Sequence, residues 1–181
     1  MSDDFFNELK EELQKGVSSK GHPFRYGVLA TLGLEKMPRQ RTVVIRSVDS
    51  LLNLHFYTDM RSKKVLHIKE NNRVSLLFYH PEKMLQIRIE GLATIINDEN
   101  ILNKHWHNVH KAGQRDYTTK AAPGSILTNP DTLEYLDDTN HFCLISVEPF
   151  KIEYLRLKRP NHVRLRYSKK GTSWESDFLV P

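Results

Sequence analysis

Cysteine occurs once in this chain of 181 residues, at Cys143. A lone thiol forms no internal disulfide, and its place in the apolar run Phe142-Cys143-Leu144-Ile145 marks it as a core residue in a reducing cytoplasm, not a nucleophile. No apolar run nears the roughly 20 residues that would span a bilayer. The N-terminus is acidic and amphipathic, whereas a secretory leader would be basic and then apolar. A cytoplasmic chain without a membrane partner is therefore expected. Also missing are a glycine-rich phosphate loop, a dinucleotide fingerprint and a nucleophile motif. Any chemistry must then be a cofactor's, or absent.

What is present describes an ordinary globular chain, 39% hydrophobic and 27% charged. At this length one domain over residues 1–181 is expected, able to bury about 70% of its unfolded surface without metal or disulfide. The net charge of +5 arises from 27 basic and 22 acidic residues. Those cations are spread widely, with local clusters at 61–64 and 156–166. Such clusters suit one small anion better than nucleic acid, which is not expected as a partner.

Periodicity gives a coarse architecture. Ser2-Asp3-Asp4 followed by Phe5, Phe6, Leu9 and Leu13 reads as an amphipathic N-terminal helix capped by Ser2, within residues 1–20. Residues 16–23 read as a loop. Alternation then predicts strands at 26–34, 41–48, 51–58, 74–79, 85–96 and 142–157, the last bent at Pro149, with a final hairpin pairing 163–168 and 174–179. Between 26 and 34 both faces are apolar or small, as in a strand lining a covered sheet. Helices are predicted at 62–69 and 98–109, with shorter pieces near 114–121 and 133–136. Consecutive strands joined by short turns indicate an antiparallel meander or barrel.

Phosphate-binding groups gather early. The start of the helix at Ser62 offers unpaired N–H groups and a hydroxyl, and Lys63 and Lys64 add charge. Arg41 and Arg46, on a neighbouring strand, bring planar forks that match phosphate. Residue pattern alone also allows a solvated basic helix end. His105-Trp106-His107 with His110 does not make a metal site, because His105 points away from the face shared by His107 and His110 and no third ligand is near. A polar helix face lining a pocket is expected, and no metal.

In order along the chain, Arg41-Thr42-Val43-Val44-Ile45-Arg46, Phe56-Tyr57-Thr58, Ser62-Lys63-Lys64, 72–79, Gln86, Arg164-Leu165-Arg166-Tyr167 and Trp174 to Pro181 resemble the pyridoxamine 5'-phosphate oxidase family. The resemblance implies a mainly β, α+β fold: a split antiparallel β-barrel with peripheral helices, dimerising with FMN at the interface. Carried over by position, it implies that Arg41, Lys63 and Lys64 hold the FMN phosphate with Ser62 or Thr58. The backbone of Thr42, Val43, Val44 and Ile45, with Tyr57 and Thr58, would flank the ribityl chain and ring. Arg46 would lie near the ring's polar edge, and Gln86 and Arg164 would contact it. The substrate-binding pattern departs from the family: His105, Val109 and Gly113 stand where the family has tyrosine, arginine and serine. Pro160-Asn161-His162 replaces an arginine-leucine-histidine triplet, and Leu155 a tryptophan. The expectation is an FMN-dependent oxidoreductase moving hydride between flavin and an unidentified small substrate, with His105, Trp106, His107 and His162 on the substrate side. The alternatives are a genuine pyridoxamine/pyridoxine 5'-phosphate oxidase using Lys111, Arg115 or Arg159, a non-catalytic flavin-binding protein, and a nucleic-acid module on the basic face.

Overall fold

The computed structural model describes residues 2–181. Eight strands form one antiparallel sheet: β1 (Tyr26–Leu32), β2 (Pro38–Val48), β3 (Leu54–Asp59), β4 (Arg73–His80), β5 (Leu85–Ile96), β6 (Phe142–Arg156), β7 (Val163–Lys170) and β8 (Ser173–Phe178). Their order is β3-β2-β1-β4-β5-β6-β7-β8, and a second pairing of β3 with β6 closes the first six into a barrel. Because β6 is 15 residues long, one part can pair with β3 while the rest continues along β5 and carries β7 and β8. This is the split-barrel architecture.

The strands form where alternation supplies an inward apolar set. Leu29, Ile45, Phe56, Leu76, Phe78, Ile87, Ile152 and Tyr154 are all buried inside or beneath the barrel. Each fully buried side chain of this size contributes about 1.5–3 kcal/mol of hydrophobic stabilisation. Where β5 turns past Pro149, the register shifts between Glu90 and Gly91. A Cβ on Gly91 would stand 2.6 Å from the Glu148 carbonyl oxygen, so the bend requires glycine there.

Several local expectations change. The first helix, α1, runs Ser2–Ser18, continuing past Gly16. Gly16 permits this by lying against Phe24, whose backbone a Cβ would meet at 2.7 Å. Ser2 does not cap the helix; it belongs to it, and its hydroxyl faces Asp3. The two faces of β1 are not equivalent, since Gly27, Leu29 and Thr31 are buried while Tyr26, Val28 and Leu32 are exposed. The strand stops at Leu32, and β2 begins at Pro38 directly opposite. β3 starts late because Asp49 organises a turn, accepting hydrogen bonds from the Leu51 and Asn53 amides and from the Asn53 side chain. Residues 133–136 are extended, not helical: Tyr135 bridges to Thr119, and the nearby 3-10 turn is Pro130–Thr132.

Helix α1 closes one side of the barrel. Leu9 and Leu13 are buried, Phe5 and Phe6 pack on Tyr154 and Tyr167, and Glu8 accepts a hydrogen bond from Tyr154. Glu12, also buried, accepts from Lys83 at 2.6 Å and Lys15 at 3.3 Å, and lies 3.3 Å from His22 Nε2. Glu12, His22 and His80 offer atoms within 4.8 Å of one another, a spacing compatible with a metal. Backbone N–H groups donate to both imidazole Nδ1 atoms, however, and two ammonium groups already hold the carboxylate. The bond from Lys83 to Glu12 fastens α1 to the β4–β5 turn.

Burial alone would raise the Glu12 carboxyl, but the bonds from Lys83 and Lys15 outweigh it and leave it below the ordinary 4.5. Burial pushes His22 below 6.5 despite Glu12. Both groups have depressed folded values, so their contributions are present above those ordinary values and are lost as pH falls through the folded ones. Thermal unfolding followed from pH 7 to 4 should show stability falling first below pH 6.5 and again below pH 4.5. Glu12→Gln should destabilise at pH 7 by about 1–3 kcal/mol and blunt the second fall.

Candidate functional site: a cationic cradle beside an aromatic cluster

Consecutive residues of a strand point to opposite faces. On β3 this sends Thr58 to the barrel end and Tyr57 outward, and a different group of side chains collects around each.

Thr58 is buried at the start of helix α2 (Lys63–Glu70). Its Oγ1 lies 3.2 Å from Ser62 Oγ and accepts from Lys64 Nζ at 2.8 Å. Ser62 occupies the N-cap position, yet its side chain makes no capping bond, so its hydroxyl stays with Thr58. From β2, Arg41 Nη1 donates to Thr31 Oγ1 on β1 at 2.6 Å. Burial lowers the Lys64 ammonium, and the nearby Arg41 guanidinium lowers it further. Burial lowers Arg41 too, with no carboxylate offsetting it. Among the described residues, neither these two nor Lys63 takes part in an ion pair. The acid closest in sequence, Asp59, is engaged by Arg61. A cavity of about 430 Å³ opens beside Arg41 and Lys63, lined also by Arg39, Glu35, Leu66 and His67. Glu35 in that lining is paired with Arg39 at 3.6 Å, which leaves Arg41 and Lys63, among the described residues, without an ion pair and suited to a dianionic phosphate.

The outward group surrounds Tyr57. The register of β2 against β3 shifts between Ile45 and Ser47, and this bulge aims the Arg46 guanidinium over the Tyr57 ring, 5.2 Å from its centroid. Tyr57 Oη is 2.9 Å from His105 Nδ1 on α3 (Glu99–His107). Phe142 packs on Tyr57 at 4.9 Å and on both Tyr117 and Trp106 at 5.3 Å. Burial raises the Tyr117 phenol, and Arg46, which also hydrogen-bonds it, partly counters that. Burial lowers His105, helped by His55 and Lys104, so its imidazole is neutral at pH 7. The cluster combines flat apolar walls, one exposed guanidinium and a neutral imidazole.

Arg61 joins the two groups. It holds Asp59 through Nε at 3.1 Å and Nη2 at 2.7 Å, and donates to the Lys120 carbonyl at 3.0 Å and the Thr119 carbonyl at 2.8 Å. It thus ties the turn before α2 to the segment that carries Tyr117. That segment follows a four-residue helix, α4 (Lys111–Gln114), and a 3-10 turn at Arg115–Tyr117, where a single piece over 114–121 was expected. Thr31, His67, Tyr117 and Phe142 were not assigned to the site from sequence, and Arg61 entered only as part of the basic cluster at 61–64.

The structure brings Arg41, Thr58, Ser62, Lys63 and Lys64 to one end of the barrel, with Arg46, Tyr57, His105 and Trp106 close by on the outer face of β3. Val43 and Ile45 turn their side chains into the core, and Thr42 and Val44 turn theirs outward. Gln86 and Arg164 lie elsewhere: both pair with Leu155, whereas Tyr57 pairs with Leu144. On the other side of the barrel the ladder places Gln86 opposite Tyr79, on β4, and Val44 opposite Tyr26, on β1. Arg164 is bonded to Glu153 at 2.9 Å, and His162 sits exposed beyond the start of β7, accepting from the Lys158 amide. His107 bonds the Asn103 carbonyl and His110 caps Ala112, so the histidines of 105–110 point apart.

A closed six-stranded barrel with two added strands and a cationic end defines a split-barrel protein. The family model described as the FMN-binding domain of pyridoxamine 5'-phosphate oxidase matches residues 4–97. The chain belongs to this family. It is 28% identical over 175 residues to pyridoxine/pyridoxamine 5'-phosphate oxidase 2 of Arabidopsis thaliana, covering 86% of this chain and 87% of the relative. It is 26% identical over 193 residues to the pyridoxine/pyridoxamine 5'-phosphate oxidase of Leptospira interrogans, covering 98% and 87%. Among solved structures, a pyridoxamine 5'-phosphate oxidase-related FMN-binding protein of Nostoc punctiforme superposes with a TM-score of 0.80 at 24% identity, covering 97% of this chain and 96% of that one. PhzG of Burkholderia lata, solved with tetrahydrophenazine-1-carboxylic acid, superposes with a TM-score of 0.79 at 22% identity, covering 97% and 92%. Both likenesses describe the fold.

Replacing Arg61 by Ala should leave the barrel folded and release the segment that bears Tyr117. Hydrogen exchange should quicken at residues 117–121, and global stability should fall by about 1–3 kcal/mol, because Asp59 stays buried without its partner. Exchange at wild-type rates there would show that the segment is held by other contacts.

Proposed function

We propose that this chain is an FMN-dependent oxidoreductase working as a homodimer, with the cradle of Arg41, Lys63, Lys64, Ser62 and Thr58 holding the FMN phosphate. The observation that carries this reading is the meeting of Arg41 and Lys64, like charges half-buried together without an acid between them. Bound there, FMN would supply the hydride-accepting chemistry that no side chain of this chain offers. The chain's own groups would bind and orient. The backbone of Thr42 to Ile45 with Tyr57 would flank the cofactor, and Arg46 would favour negative charge near the ring's polar edge. His105, held neutral and bonded to Tyr57, would present a hydrogen-bonding group to the substrate, with Trp106 and Phe142 excluding water.

The dimer reading is supported by the outer face of β1 and β4. Val28 and Leu77 pair with one another and are each 37% exposed, between Tyr26 at 55% and Tyr79 at 48%. An apolar stripe of this kind on a closed barrel is a surface for a second copy. In such a dimer Arg164 and His162 would serve the partner's cradle. A reducing cytoplasm suits Cys143, whose thiol burial pushes up to about 11. The named activity of the Arabidopsis and Leptospira relatives favours a second reading, a genuine pyridoxine/pyridoxamine 5'-phosphate oxidase.

Purified protein titrated with FMN should quench flavin fluorescence with one site per chain. Arg41→Ala and Lys64→Ala should each weaken binding by roughly 10- to 150-fold, the equivalent of a lost charge-assisted bond of about 1.5–3 kcal/mol. Full affinity in both variants would remove the phosphate from this cradle. Turnover of pyridoxamine 5'-phosphate by the loaded protein would select the second reading. Val28→Lys should shift the chain to a monomer in sedimentation; an unchanged mass would place any dimer contact elsewhere.

A further inference from the structure

One wall of the cavity beside α2 belongs to a residue with no role in the reading above. His67 is buried, four positions after Lys63 and therefore on the same helix face. Its Nδ1 lies 3.0 Å from Thr31 Oγ1, the oxygen that Arg41 Nη1 approaches at 2.6 Å. A guanidinium only donates, so Thr31 accepts from Arg41, which leaves its own proton free to turn to His67 Nδ1 when the ring is neutral. The imidazole is then the Nε2–H tautomer, and its ring lines the cavity together with Arg41 and Lys63. The charged groups facing it are Arg41 and Arg39 on β2 and Lys63 on its own helix. Glu35, in the β1–β2 hairpin, is turned to Arg39 at 3.6 Å, and Thr31 on β1 is neutral. Burial first, and then these three cations, keep the ring below its ordinary 6.5.

We propose that His67 is a switchable arm of the anion cradle, neutral while the cradle holds no anion and protonated once a phosphate dianion sits against Arg41 and Lys63. The proposal rests on the reading of this cavity as the phosphate end of the FMN site. A dianion reverses the local potential that three cations impose, so the charged imidazole becomes the favoured form. The proton comes from solvent and adds at Nδ1. Thr31 then rotates its hydroxyl to accept from both His67 and Arg41, for which its two lone pairs suffice. The bound state thus carries a proton that the free state lacks, and affinity rises as pH falls between the two titration midpoints. The lower end of that window is the free-state midpoint, below 6.5, and the measurements are taken above the phosphate monoester's own second midpoint of about 6.

The test is calorimetric titration of FMN at pH 7 in two buffers of different ionisation enthalpy, with dissociation constants measured from about pH 6.5 to 8. The wild type should take up a substantial fraction of a proton and bind several-fold more tightly at the acid end. His67→Gln, whose amide can serve Thr31 and the cavity but cannot titrate, should lose the uptake and flatten the profile. Undiminished uptake in His67→Gln would overturn the proposal by assigning the proton to another group. The His67 imidazole resonances of the wild-type protein, titrated with and without inorganic phosphate, form an independent arm. A raised midpoint with phosphate supports the switch even if FMN fails to bind, a failure that would sink the flavin reading alone. A midpoint moved by neither phosphate nor FMN overturns the switch.

Discussion

Arg41 and Lys64 share the end of the barrel, each partly stripped of water and, among the described residues, each without an ion pair. Such an arrangement is unfavourable by itself, because two like charges at low dielectric repel and their burial is penalised. It persists because the groups around it are fixed by stronger structure. Arg41 stands on a strand bonded on both edges, and Lys64 belongs to a helix whose first turn is tied to Thr58 and Ser62. Hydroxyls of Thr31 and Thr58 take the hydrogen bonds that carboxylates would otherwise supply. The chain therefore keeps a patch of positive potential available to an anion, and Asp59 does not neutralise it because Arg61 occupies it.

Closure of the barrel is what places the rest. The pairing of β3 with β6 sets Tyr57 opposite Leu144 and brings Phe142 into contact with Tyr57. Through Arg61 the long excursion between β5 and β6 is fastened to the same turn that begins α2. One short strand thus supports a phosphate cradle on one face and an aromatic cluster on the other, which suits a ligand with an anionic tail and a flat head. Arg164 and His162 sit beside the far end of β6, bonded there to Glu153 and the Lys158 amide, apart from both groups. Association of two chains would resolve that separation, and the exposed stripe on β1 and β4 is the surface suited to it.

Much of this architecture was legible from local pattern. Strict alternation in 41–48 and 85–96 identifies strands because every second residue faces the core, and the basic start of α2 follows a serine at the N-cap. Misjudged segments were those where a tertiary contact overrode local preference. Gly16 reads as a helix end, yet the helix continues because Phe24 presses on it. Residues 133–136 have helical spacing, yet Tyr135 finds a backbone partner in Thr119 and a cation in Arg115.

By itself the amino-acid sequence determined the antiparallel class, the cations available to a phosphate, and the family to which the chain belongs. These follow from residue type and spacing along a few consecutive positions, where neighbours in the chain are neighbours in space. The tertiary structure alone decided that Arg41 and Lys64 share one end of the barrel, that Thr31 stands between Arg41 and His67, and that Arg164 pairs with Glu153. Each of these depends on strand register and barrel closure, which join residues tens of positions apart through many weak contacts that no local pattern records.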